Sequence, residues 1–127
     1  MKRSIVITLL PLIIAACNSG NSARIDQTNK LDLTLANYGE KIFVVKCVTC
    51  HKLTEEKLIG PGLHGVSERH SAEWLMNFIS KPDQMLDTDT EAQALLKIWV
   101  VRMPNQNLTS NEARQLLEFL RKNDGVN

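Results

Sequence analysis

Cys47-Val48-Thr49-Cys50-His51 is the stretch that decides how this chain is read. Two cysteines of the form C-x-x-C are followed at once by a histidine, and each chemistry that uses such residues makes its own demand on the surroundings. A thioredoxin-like redox pair sits between a strand and a helix, and the flanking sequence offers no strand. Structural zinc takes four ligands, usually from two separated pairs. The other histidines, His64 and His70, have no partner at ligand spacing. A Cys47–Cys50 disulfide leaves His51 without a purpose. Covalent attachment of haem uses all three residues: C-x-x-C-H is the c-type attachment pattern. Two thioethers from one helical turn grip the two vinyl positions on one edge of the macrocycle, and His51 projects its imidazole under the iron.

Upstream of this stretch, Leu31 to Lys46 reads as a helix, with Leu35, Tyr38, Ile42 and Val45 recurring at helical spacing. Gly39, Phe43 and Cys47 lie on a second stripe of the same helix. A glycine inside a helix costs roughly 1 kcal/mol relative to alanine. Either another element approaches closely at Gly39 or the residue is merely tolerated. Downstream, His51 to Arg69 is loop-like, broken by Gly60-Pro61-Gly62 and Gly65. Ser71 reads as the N-cap of a helix with an apolar face of Trp74, Leu75, Phe78 and Ile79, which Pro82 stops. Thr88-Asp89-Thr90-Glu91 forms a capping-box pattern ahead of Ala92, Leu95, Leu96 and Trp99. Pro104 and Asn105-Gln106-Asn107 end that helix in a turn. A second capping box, Thr109 to Glu112, opens a last helix whose face is Ala113, Leu116, Leu117 and Leu120, with Phe119 beside it. No stretch alternates apolar and polar residues long enough to demand a strand. The fold class expected is all-α, about four helices with long loops.

A chain of 127 residues suits one domain, and 43% hydrophobic residues with only 5% aromatic allow a modest core. Domains this small often lean on a covalent or cofactor staple. A net charge of +1 leaves no basic footprint for nucleic acid. Met1-Lys2-Arg3 is a positive n-region, Ile5 to Ile14 a short apolar run, and Ile14-Ala15-Ala16-Cys17 resembles a bacterial lipobox. The reading is a lipoprotein signal peptide over 1–16, with Cys17 lipidated as the first mature residue. An ordinary signal peptide or a retained anchor is the alternative, although the apolar run is short for a membrane span. Loss of Lys2 and Arg3 leaves 13 basic against 14 acidic residues. Residues 17–30 are polar and read as a flexible tether, 31–122 as the folded domain and 123–127 as a C-terminal tail.

From about Asn37 onward the sequence resembles the class I, low-spin monohaem c-type cytochrome family. The likeness rests on Gly39-x-x-x-Phe43-x-x-x-Cys47-x-x-Cys50-His51, on Gly60-Pro61-Gly62-Leu63-His64-Gly65-Val66, and on Met103-Pro104 followed by Leu108-Thr109 and an amphipathic helix. It implies the cytochrome c fold around one covalent haem c. In that fold the first and last helices cross near Gly39, opposite a bulky residue such as Phe119 or Leu120. It implies His51 as the proximal axial ligand, its imidazole held by the backbone carbonyl of Pro61, and Met103 as the distal ligand. Met103 also precedes a proline at a helix exit, where extended backbone can hang its side chain over the ring. Met85, read in a loop, and His70 are the other candidates, while Met76 reads as packing. His64 reads as a loop residue bonded to backbone and His70 as solvent-facing. Trp74 or Trp99 offers an indole N–H to a haem propionate, with plain core packing the alternative.

With both axial positions filled by protein, the resemblance implies an electron-transfer protein rather than an enzyme. The expectation is a monomeric single-electron carrier, exported to the periplasm and held at a bacterial membrane by its lipid. It would serve a respiratory chain, between a quinol-oxidising complex and a terminal reductase or oxidase, with redox proteins as its partners. The second reading is a haem sensor or catalytic domain in which Met103 dissociates.

Overall fold

The computed structural model describes residues 30–127; the signal segment, Cys17 and nearly all of the tether lie outside the described residues. Six helices follow one another: α1 (Leu33–Lys46), α2 (Val66–Arg69), α3 (Ala72–Ser80), α4 (Pro82–Thr88), α5 (Thr90–Trp99) and α6 (Ser110–Asn123). The all-α architecture is the one expected, and no strand occurs among the described residues. Among the described residues the helix count is six rather than about four.

The frame is the pairing of α1 with α6. Asp32 starts α1 two residues later than Leu31, its carboxylate accepting the Leu35 N–H at 3.0 Å. Thr109 opens α6 with a reciprocal capping box: its hydroxyl accepts the Glu112 N–H, and the Glu112 carboxylate accepts the Thr109 N–H at 2.8 Å. The face that α1 buries is Ala36, Gly39 and Phe43. The Leu35–Tyr38–Ile42–Val45 stripe is not that face, since Tyr38 is 52% and Val45 78% exposed. The reason is steric. A Cβ on Gly39 would stand 2.1 Å from the Gln115 carbonyl oxygen and 2.8 Å from the Phe119 Cβ. Only a residue without a side chain lets the two helices come this close, and next to it the Phe43 and Phe119 rings meet at 5.4 Å. Glu118, fully buried on α6, joins the two helices a second way. It accepts the Asp32 N–H at 3.1 Å and is paired with Arg114 at 3.0 Å and Arg121 at 2.9 Å.

The additional helices are short and depend on partners distant in sequence. Pro82 does end α3, but its fixed φ and missing N–H also suit the first position of a new helix. Met85 therefore sits on α4, not in a loop. Helix α2 begins at Gly65, whose φ of 70° turns the chain into it, and its free N–H groups are met by the Asp124 carboxylate. Helix α6 runs through Asn123, one residue past the boundary at 122.

The N-cap of α5 is Asp89, not Thr88, whose hydroxyl instead donates to the Gln84 carbonyl inside α4. The Asp89 carboxylate is held below its ordinary value of 3.8 by the Ala92 N–H and then by the Trp74 indole. Glu112 is held below its ordinary 4.5 by the N–H and hydroxyl of Thr109. Both pKa values are depressed on folding, so these groups contribute stability in full above their ordinary values and lose it as pH falls through the folded ones. Acid titration of stability should therefore show a limb below about pH 4, and Asp89→Asn should flatten it when urea midpoints are compared between pH 5 and pH 3.

Candidate haem site

The last turn of α1 does not simply fray. Cys47 N–H returns to the Phe43 carbonyl at 2.9 Å, and the N–H groups of Cys50 and His51 both return to the Cys47 carbonyl, at 3.0 and 2.9 Å. This turn brings Cys47, Cys50 and His51 to the wall of one cleft. Both cysteines are free and half-buried. Burial pushes the Cys47 thiol up to about 11, with Lys46 opposing the shift and Cys50 adding to it. His51 Nδ1 donates to the Pro61 carbonyl at 2.9 Å. That bond selects the tautomer and leaves Nε2 as the ring nitrogen with a lone pair to give. Gly60 closes the contact from behind: a Cβ there would lie 2.5 Å from His51 Cε1. Gly60→Ala is accordingly expected to displace the imidazole and weaken the Pro61 bond, read as a shift of the His51 ring resonances in the NMR spectrum of the reduced protein.

The cleft encloses about 1320 Å³ of empty space, its open mouth included. Apolar side chains from all six described helices wall it, among them Phe43, Val66, Ile79, Leu86, Leu95 and Leu120. Met103 lies on the same wall, in the irregular segment between α5 and α6. That segment leaves α5 through Val100, held at φ 64°, a costly conformation for a β-branched residue. Arg102 then ties it to α4 through Asp87 at 2.8 Å and Asp83 at 3.9 Å. Of the other described methionines, Met76 packs beside the Val66–Leu75–Leu117–Leu120 core, and Met85 is half-buried on α4.

Trp74 also lines the cleft, but its indole N–H donates to Asp89 at 3.1 Å. The donor expected for a propionate is thus already engaged by the N-cap of α5. Trp99 lines the cleft with the Lys57 ammonium 5.2 Å over its ring. His64 is exposed in the loop, and its carbonyl accepts from Arg69 at 2.6 Å. His70 is not solvent-facing. Its side chain is 12% exposed, bonded to Glu91 at 2.6 Å and stacked on Trp74 at 4.3 Å, against the cleft. Sequence reading missed this because Glu91 sits on another helix, with no local signal linking the two.

Among the described residues no three His, Cys, Asp or Glu side chains gather to hold a metal ion. The donors in the cleft fit instead a metal that brings most of its own ligands: two thiols for covalent attachment, an oriented imidazole and a thioether. Cytochrome c is the family whose profile matches residues 36–124. The chain belongs to the cytochrome c family. A cytochrome c from Rhodothermus marinus is 30% identical with a TM-score of 0.74, over 83% of this chain and 90% of that one. An engineered cytochrome c from the same organism, bound to a carbene intermediate, is 32% identical with a TM-score of 0.68, over 75% and 81%. The cytochrome c domain of a Pseudomonas putida protein is 32% identical with a TM-score of 0.59, over 66% and 85%. No curated protein matches the chain. The cofactor of this cytochrome c domain is one covalent haem c.

Proposed function

We propose that this cytochrome c is of class I and carries single electrons, with Cys47 and Cys50 as the thioether anchors and His51 and Met103 as the axial ligands. The observation that carries the reading is the presence on one cleft of Met103 and of an imidazole whose Nδ1 is already bonded to a carbonyl. When bound, the haem supplies a one-electron couple at its iron. The chain's own part is to orient that imidazole through Pro61, to offer a thioether that favours the reduced state, and to keep water out with an apolar wall. Two protein ligands leave no coordination position for a substrate, which is what distinguishes a carrier from an enzyme.

The finer setting belongs to the same proposal. The carrier is exported, monomeric and lipid-anchored through Cys17 on the periplasmic side of a bacterial membrane. It accepts electrons from a quinol-oxidising complex and passes them to a terminal reductase or oxidase through brief, small interfaces. The lipobox supports the anchor, and no described helix is long and apolar enough to cross a membrane. Cys17→Ala is expected to move the protein from the membrane fraction to the soluble one. Retention without lipid would favour an uncleaved helical anchor.

The second reading, a haem sensor or catalyst in which Met103 leaves, draws on the engineered Rhodothermus marinus relative with its bound carbene intermediate. One experiment separates the two. The reduced protein should show a low-spin c-type spectrum that carbon monoxide at neutral pH does not perturb. Rapid stoichiometric binding would sink the carrier reading.

A further inference from the structure

We propose that Asn123 and Asp124, at the C-terminal end of α6, are positioning residues: a clamp that holds the histidine-bearing loop so that the His51–Pro61 hydrogen bond, and through it the redox potential, is kept in register. The proposal rests on His51 being an iron ligand. The loop leaves α1 at His51 and returns at Val66 as two arms. They are joined to each other by backbone bonds from Leu63 N–H to the Lys52 carbonyl at 2.8 Å and from His64 N–H to the Thr54 carbonyl at 3.3 Å. Leu53 and Leu63 also pack against the core, but apolar packing is non-directional and leaves a carbonyl free to tilt.

Beside Pro61, Gly60 N–H donates to the Cys50 carbonyl at 2.8 Å, and the ties from the loop to α6 come from two adjacent side chains, one for each arm. Asn123 Nδ2 donates to the Leu53 carbonyl of the outgoing arm at 3.1 Å. The Asp124 carboxylate takes the returning arm, accepting from Gly65 N–H at 2.7 Å, Ser67 N–H at 2.9 Å and the Ser67 hydroxyl at 2.6 Å. Asp124 is itself fixed, its own N–H continuing the helix to the Leu120 carbonyl at 2.9 Å. Three donors on one carboxylate make charge-assisted, short and stiff contacts. Pro61 lies on the returning arm just before Gly65, so its carbonyl is carried by the segment that Asp124 grips. A four-residue helix such as α2 has no stability of its own to replace that grip.

The bond from Nδ1 to a carbonyl makes the imidazole a stronger donor and favours the oxidised iron. Releasing the clamp should therefore raise the midpoint potential. The test uses the haem-loaded full chain and three variants. Asn123→Ala and Ser67→Ala each loosen one arm without changing charge, so a shift in them is not a through-space effect. Thr109→Ala weakens α6 at its far end without touching the loop. Asn123→Ala and Ser67→Ala are expected to shift the one-electron equilibrium by at least threefold, about 28 mV at 59 mV per tenfold. Exchange of the His51 Nδ1–H with solvent should speed up by about tenfold, followed by NMR of the reduced protein. Thr109→Ala should lower the thermal midpoint and leave both readouts in place. Unmoved potential and exchange in both loop variants overturn the clamp, as does an equal shift in Thr109→Ala. A wild-type protein without a c-type spectrum overturns the haem-ligand reading, and the clamp's effect on potential with it.

Discussion

Gly39→Ala is expected to destabilise the domain by about 3 kcal/mol, the upper end of the usual range for overpacking. Alanine is the better helix former by roughly 1 kcal/mol, so the sign is decided by what the new methyl meets. It meets the Gln115 carbonyl oxygen at 2.1 Å, the Gln115 carbonyl carbon at 2.6 Å and the Phe119 Cβ at 2.8 Å. None of these is the far end of a flexible side chain. They are part of α6 itself, so relief requires α1 and α6 to move apart, which opens the Phe43–Phe119 contact beside the crossing. For a domain of this size each kcal/mol lowers the thermal midpoint by about 4–8 °C, so the variant should melt roughly 12–24 °C below the parent. Thermal unfolding of the haem-loaded protein followed by far-UV circular dichroism measures it. An unchanged midpoint would mean that the helices have slack that this crossing lacks.

Met103→Ala is expected to erase the iron–sulfur charge-transfer band and lower the midpoint potential. Axial-ligand identity sets haem potentials over about 0.8 V, and exchanging a thioether for water should use on the order of a quarter of that, about 0.2 V. The sign follows from the sulfur, a soft donor that favours the electron-rich reduced iron. The fold is expected to survive, because the neighbouring anchors stay: Leu108 remains buried in the core and Arg102 keeps its ion pair with Asp87. Met85→Ala is the companion measurement. Met85 rides on α4, so its loss should leave band and potential where they are. The reverse pattern would transfer the ligand role from Met103 to Met85.

That Cys47, Cys50 and His51 meet at one cleft is legible because the three stand within five residues, on a single turn. The caps Ser71 and Thr109 were legible for a similar reason, since a helix N-terminus is satisfied within its first turn. What escaped depends on contacts between segments far apart. On α1 two stripes competed, and hydrophobicity alone favoured the one bearing Tyr38 and Val45. The buried stripe was chosen by the close approach of α6 at Gly39, a steric fact about two helices rather than one. In the sequence Pro82 reads as a stop, but it is equally a start, and only the packing of Leu86 into the core reveals α4. His70 reads as a solvent residue because the Glu91 carboxylate that closes over it stands 21 residues on, although the Trp74 ring it stacks against is close in sequence. Asp124 fell in what reads as a polar tail, while its acceptors' partners, Gly65 and Ser67, stand 59 and 57 residues earlier.

The pairing of the first helix with the last has a temporal side. The Asp32 N–H meets Glu118 across 86 residues of chain, and the Gly39–Phe43 stripe rests on α6 at Gln115 and Phe119. Contacts so remote in sequence slow folding, because a long loop must close before it is rewarded. A growing chain that has not yet produced α6 holds α1 without its partner, and with it Cys47 and Cys50 at the helix end. The order of synthesis thus leaves Cys47 without the Leu116 and Phe119 side of its core until α6 has been made.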